Sequence, residues 1–133
     1  NTTFQNVTFS ANGQINGWTH SPGASLFTAN QSGLYLVQYT ATAQIISTSI
    51  ISLRATLNGT EITGSQAAAT PTGVNYPTSV SKSFIVSLTS GDSLTLQFTG
   101  STLNPPNQGG VQLVNVGMGT TPTSISMTII RLQ

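Results

Sequence analysis

Phe27-Thr-Ala-Asn-Gln-Ser-Gly33-Leu-Tyr35-Leu-Val37-Gln-Tyr39 decides how the rest of the chain is read. An aromatic residue precedes a turn glycine, and the strand that follows carries a large side chain at every second position. A period of two marks a strand with one face buried. Tyr35, Val37, Tyr39, Ala41 and Ala43 then face one way, and Leu34, Leu36, Gln38 and Thr40 face the other. A second unit of similar build lies downstream, Leu88-Thr-Ser-Gly91-Asp92-Ser-Leu94-Thr-Leu96-Gln-Phe98.

The same alternation extends outward from these two units. Ile51, Leu53, Ala55 and Leu57 alternate with Ser52, Arg54 and Thr56, and Val80, Lys82, Phe84, Val86 and Leu88 repeat the pattern. Phe4, Val7 and Phe9 suggest a short opening strand, Val111, Leu113 and Val116 a less regular one, and Ile125, Met127 and Ile129 a closing one. Asn58-Gly59 predicts a two-residue hairpin, because both positions of such a turn need positive φ. Long loops are expected from Gly64 to Ser79, with Pro71 and Pro77, and from Gly100 to Gly110, with Pro105-Pro106. Loops of that length are usually functional or mobile. No window carries a helical stripe and β-branched residues dominate, so the chain reads as all-β. Residues 1–133 are expected to form one domain, a jelly-roll sandwich or a closed barrel.

Composition narrows the function. Only 4% of the 133 residues are charged, against about 25% in an ordinary soluble protein. No apolar run approaches the ~20 residues of a membrane span, and the runs at Ile45-Ile46 and Ile50-Ile51 are broken by Ser and Thr. Ser, Thr, Asn and Gln therefore take the place of charge on the surface. A net charge of +1, with Arg54, Lys82 and Arg131 far apart in sequence, argues against nucleic acid and against a charged membrane surface. The same lack of charge removes the repulsion that holds domains apart, so close self-association is tolerated. There is no cysteine, hence no disulfide or thiolate chemistry. The chain opens at Asn1 without Met or a signal-peptide pattern, as expected of a mature product or an excised domain. Asn-X-Ser/Thr sequons stand at Asn1, Asn6, Asn30 and Asn58.

The first unit resembles the signature of the tumour necrosis factor and complement component 1q superfamily. Phe27 is followed, after a gap of five residues, by Gly33 and then by Tyr35, Val37 and Tyr39. The second unit, Gly91-Asp92 with Leu94, Leu96 and Phe98, is similar to that superfamily's later Gly-Asp turn and strand. The closing Ile125-Ser-Met-Thr-Ile-Ile-Arg-Leu132 stands where its C-terminal strand does. Within the superfamily the chain looks most like the C-terminal domains of collagen-like glycoproteins on bacterial spore surfaces, the exosporium. Val37 stands where many animal members carry Phe, which sets the chain apart from the animal complement branch. The resemblance implies a jelly-roll sandwich of about ten antiparallel strands that assembles as a homotrimer. It also implies a structural role at a spore or cell surface, nucleating and capping a fibrous, collagen-like stalk. Gly33 is expected to supply a left-handed or tight-turn entry to its strand. Leu34 and Leu36 leave a second apolar face that a trimer would cover.

The same residues admit other readings. His20 is the one histidine; a catalytic role needs a nucleophile and an orienting acid, so it reads as a surface or loop residue. Glu61 and Asp92 are the sole acids, and paired carboxylates for glycoside hydrolysis would have to be these two. They read instead as a hairpin residue and a turn residue, with Arg54, Lys82 and Arg131 at rims or paired to them. No enzyme activity, cofactor or metal is expected, although a threefold axis could triple one ligand for an axial ion. Trp18 and Tyr76 could contact a sugar or a receptor from the loops, which makes a recognition head the second reading. A viral capsid or fibre jelly roll is the third.

Overall fold

The computed structural model describes residues 4–45, 50–100, 111–114 and 124–133. These form eleven strands: β1 (Gln5–Asn6), β2 (Trp18–Thr19), β3 (Phe27–Ala29), β4 (Gly33–Ile45), β5 (Ile51–Leu57), β6 (Thr60–Glu61), β7 (Ala67–Ala69), β8 (Thr78–Leu88), β9 (Ser93–Gly100), β10 (Val111–Leu113) and β11 (Ile125–Arg131). Every pairing among them is antiparallel. No helix long and apolar enough to cross a membrane occurs among the described residues. Ile46, Val116, the Pro105-Pro106 loop and the Asn1 sequon lie outside them.

Two sheets make a sandwich. In the larger, the order is β2-β3-β9-β5-β6, with β1 beside β3 on one edge of β9 and β7 beside β6 on the far edge of β5. In the smaller, β4 is central, β8 lies on one side, and β11 and β10 follow one another along the other. The inward faces supply the core. Val37, Tyr39, Ala41, Ala43 and Ile45 of β4 meet Ile51, Leu53 and Ala55 of β5 and Leu94 and Leu96 of β9, with Val80 and Phe84 of β8 closing one side. The alternation along β4 is therefore the one expected for a half-buried strand.

Each of the two glycine units is a strand, a corner and a strand. β3 lies in the larger sheet and β4 in the smaller, while β8 lies in the smaller and β9 in the larger. The units run antiparallel to one another across both sheets: β4 pairs β8 from Gly33↔Leu88 to Ala43↔Thr78, and β3 pairs β9 at Phe27↔Leu94. Their corners touch where they cross. Gly91 N–H donates to Ala29 C=O at 2.7 Å, Ala29 N–H to Asp92 C=O at 2.9 Å, and Ser90 N–H to Ser32 Oγ at 2.8 Å. Gly91 is at φ 98°, a conformation open to glycine at little cost.

The Asn58-Gly59 hairpin forms as expected, with φ of 50° and 87° and Leu57 opposite Thr60. Four expectations change. Gly33 is not at positive φ; a Cβ there would lie 2.5 Å from the Gln133 carbonyl oxygen and 2.7 Å from Arg131 Nε, so its reason is close approach by the end of β11. The stretch read as a loop from Gly64 contains β7, whose alanines have little strand preference of their own and are ordered by pairing with β5. The opening strand is only two residues long, although Val7 and Phe9 both enter the core. Thr56, read as solvent-facing, is buried opposite Thr95.

Asp92 ties the second corner to the hairpin. Its Oδ2 accepts from Thr89 N–H at 2.8 Å and its Oδ1 from Asn58 Nδ2 at 3.0 Å, while Asn58 Oδ1 accepts from Ser93 N–H at 2.9 Å. The Thr89 amide, and after it the Asn58 carboxamide, hold the Asp92 carboxyl below its ordinary value. A carboxylate with a depressed folded-state pKa adds stability above its unfolded value of about 3.9, lost as pH falls through the folded one. Asp92→Asn is expected to flatten the stability curve below about pH 4, read from urea midpoints at successive pH values; an unaltered acid limb would show the clasp to be idle. Gly33→Ala is expected to lower stability by about 1–3 kcal/mol through overpacking. An unchanged urea midpoint would mean that the tail after β11 simply moves aside.

Candidate functional site

The signature residues assemble into one region of the sandwich. Tyr35, Val37 and Tyr39 project inward from β4 and are buried, Leu94 and Leu96 are buried on β9, and Phe98 and Phe27 are half-buried beside them. Gly33 lies under Arg131, whose Nη2 donates to Ser32 C=O at 2.8 Å. Gly91 and Asp92 form the second corner. The two tyrosines use their hydroxyls structurally. Tyr35 Oη donates to Gln31 C=O at 2.7 Å, and Tyr39 Oη donates to Ser65 C=O at 2.7 Å. Ser65 Oγ bonds both the N–H and the C=O of Ala55, so Tyr39 reaches the larger sheet through it. Burial pushes the Tyr39 phenol above its ordinary range.

Trp18 and Tyr76 are not brought together. Trp18 pairs with Ala29 in β2 and packs edge-to-face on Tyr35, with centroids 5.3 Å apart. Tyr76 is 59% exposed and follows Asn75, whose amide donates to Ile45 C=O. They therefore lie toward opposite ends of β4, whose thirteen residues span roughly 43 Å at 3.3 Å per residue.

His20 is a loop residue but not a surface one, at 7% exposure. Its ring stacks on Phe27 with centroids 4.0 Å apart, Nε2 donates to Ala24 C=O at 2.9 Å, and Nδ1 meets Asn12 Oδ1 at 2.5 Å. The aromatic pocket of Phe9 and Phe27 draws it inward, which the sequence around it did not signal. Glu61 pairs with Arg54 at 3.0 Å. Asp92 takes amide donors rather than a cation. Lys82 sits in register with Tyr39 on the inward side of the edge strand β8, a placement that discourages edge-to-edge pairing with foreign strands.

The outer face of the smaller sheet has a different character. Its register aligns Ile85, Leu36 and Ile130 in one row across β8, β4 and β11. Ile85 is 58% exposed, Ile130 50% and the adjoining Leu132 47%. Leu34 continues the patch, since its C=O accepts from Leu132 N–H at 2.7 Å and its N–H donates to Gln133 C=O at 2.8 Å. The next rows are polar: Ser83, Gln38 and Thr128, then Ser81, Thr40 and Ser126. Ile85 interrupts an outward series of serines at 79, 81, 83 and 87. The apolar row is thus assembled from one residue in each of three strands far apart in sequence. Leu36, and Leu34 beside it, follow from the alternation of β4, whereas Ile85 and Ile130 follow from no alternation in the sequence. An out-of-phase isoleucine in a serine series was the available signal.

The structure of Eiger TNF from S. frugiperda superposes with a TM-score of 0.59 at 18% identity, covering 87% of this chain and 69% of the other. At that identity the likeness speaks for the fold, an all-β jelly roll of the tumour necrosis factor type. A search of curated protein sequences finds no match. The profile described as the BclA C-terminal domain matches residues 2–133. The profile spans nearly the whole chain, and the chain belongs to the BclA C-terminal domain family of collagen-like exosporium glycoproteins.

Proposed function

We propose that residues 1–133 act as a single head domain that trimerises, presents its outer loops at a spore or cell surface, and nucleates and caps a collagen-like stalk. The observation that carries this is the apolar row Ile85–Leu36–Ile130, widened by Leu34 and Leu132, on a sheet face that the sandwich does not cover. Such a row is costly in water and is covered when three identical copies turn this face toward a shared threefold axis, at about 25 cal/mol per Å² removed. The near absence of charge leaves little repulsion to oppose them.

The functional consequence is one of concentration. Three heads held together keep three attached chains side by side, so that a three-body nucleation becomes intramolecular. The family is named as a C-terminal domain, so the rest of such a protein joins from the N-terminal side. The role is structural and non-enzymatic in this reading. His20, Glu61 and Asp92 support it, because each is engaged by partners that serve the fold. Family membership favours this over a capsid or fibre role.

A second reading is recognition of a surface carbohydrate or receptor. Its support is Tyr76, a largely exposed aromatic in a loop with the exposed Val74 beside Asn75. Tyr76→Ala with a glycan array, compared against the unaltered protein, tests it; identical binding patterns remove Tyr76 from that role.

Light scattering at micromolar concentration is expected to give about three times the 13.8 kDa of one chain. Ile85→Ser restores the serine series of β8 and removes about 1.5–3 kcal/mol of side-chain burial at each contact, so the mass should fall toward a monomer with the β-sheet circular dichroism retained. An unaltered chain that is monomeric at these concentrations would end the proposal.

A further inference from the structure

The outer face of the larger sheet carries a connected set of side chains that neither the core nor the apolar row requires. Arg54 on β5 is half-buried, with 27% of its side chain exposed. Its Nη1 donates to Glu61 Oε1 at 3.0 Å and its Nε to Gln97 Oε1 on β9 at 2.8 Å. The Gln97 Nε2 donates in turn to Asn6 Oδ1 on β1 at 2.8 Å. The guanidinium carbon lies 3.8 Å from the centroid of the Phe4 ring. Register explains the alignment: Arg54 stands opposite Gln97, and Gln97 opposite Asn6. One row therefore crosses β5, β9 and β1, and an aromatic residue of the N-terminal segment stacks on its cation.

This row occupies two of the chain's five charged residues. The backbone it supports is weak. β1 has two residues, paired to β9 at Gln5↔Phe98 and Asn6↔Gln97. Beyond it, Val7 N–H donates to Leu96 C=O at 2.8 Å and Phe9 N–H to Ala24 C=O at 3.1 Å. A two-residue strand at a sheet edge opens readily, because few hydrogen bonds must break together. A guanidinium suits the task of holding it: its flat face stacks on a ring while its fork donates in fixed directions, which a lysine ammonium cannot reproduce.

We infer that Arg54 is the latch of the N-terminal segment, gripping Phe4 directly and Asn6 through Gln97, so that tension arriving through that segment is carried into β5 and β9 rather than resting on β1 alone. Its use under tension rests on the proposed attachment from the N-terminal side, but the latch itself is testable without a stalk. Hydrogen exchange by mass spectrometry on the whole chain reads it. Arg54→Ala is expected to speed exchange at the Val7 and Phe9 amides by about tenfold or more, with β4 and β8 unchanged. Arg54→Lys keeps a charge for Glu61 but loses the stack and the fork, and should fall between. Unchanged exchange at Val7 and Phe9 in Arg54→Ala would overturn the latch. So would a loss of protection spread evenly over all strands, which would make Arg54 a support of the whole fold. The solution mass of the unaltered protein reports separately on assembly, so the two readings fail independently.

Discussion

The structure depends on the crossing of two corners. The chain passes from the larger sheet to the smaller between Ala29 and Gly33 and returns between Leu88 and Ser93. These passages lie side by side and hydrogen-bond to each other through Ala29, Gly91, Asp92, Ser90 and Ser32. Because the flanking strands pair in both sheets, one corner cannot shift without slipping register in two ladders. A slip of one residue would turn every inward side chain of β4 to the solvent. The corners thus set the register of β4 against β8, and through it which side chains share a row on each face.

That constraint explains how so uncharged a chain holds together without a disulfide. Its polar groups are spent on backbone partners at the places where the sheets must be joined. Tyr39 and Ser65 link β4 to β5, Tyr35 holds the first corner through Gln31, and Arg131 clamps Ser32 at the point where Gly33 leaves room for the end of β11. A buried hydroxyl that finds a carbonyl removes a desolvation penalty of about 1–3 kcal/mol. The few charges are placed with similar economy: Arg54 and Glu61 on one face, Asp92 in a turn, Lys82 at an edge.

The same register gives the molecule its outward face. Leu36 alone would be an unremarkable exposed leucine. Set between Ile85 and Ile130 it becomes part of a row spanning the sheet, and such a row is the kind of surface that marks contact with another chain. The polar rows beside it, of Ser, Thr and Gln, can approach a second copy without stranding a buried charge. On the opposite side of the sandwich, the Arg54 row holds the N-terminal segment. The apolar row and the Arg54 row thus lie on different sheets.

The alternation of β4, β5, β8 and β9, the Asn58-Gly59 turn and the two glycine units were legible in the residues themselves. Each follows from local chemistry: a period of two, positive φ, and a strand broken by a corner. The inward and outward faces of β4 were also decided at that level. Pairing between distant strands was not, because period-two patterns are compatible with many partners and registers. Hence local pattern reaches only the β4 part of the apolar row; it does not contain the pairing that makes β7 a strand, the pocket that buries His20, or the space that Gly33 leaves for Gln133. Sequence determined which side chains each strand would bury. Only the tertiary structure decided which strands meet, since that choice rests on contacts between residues remote along the chain.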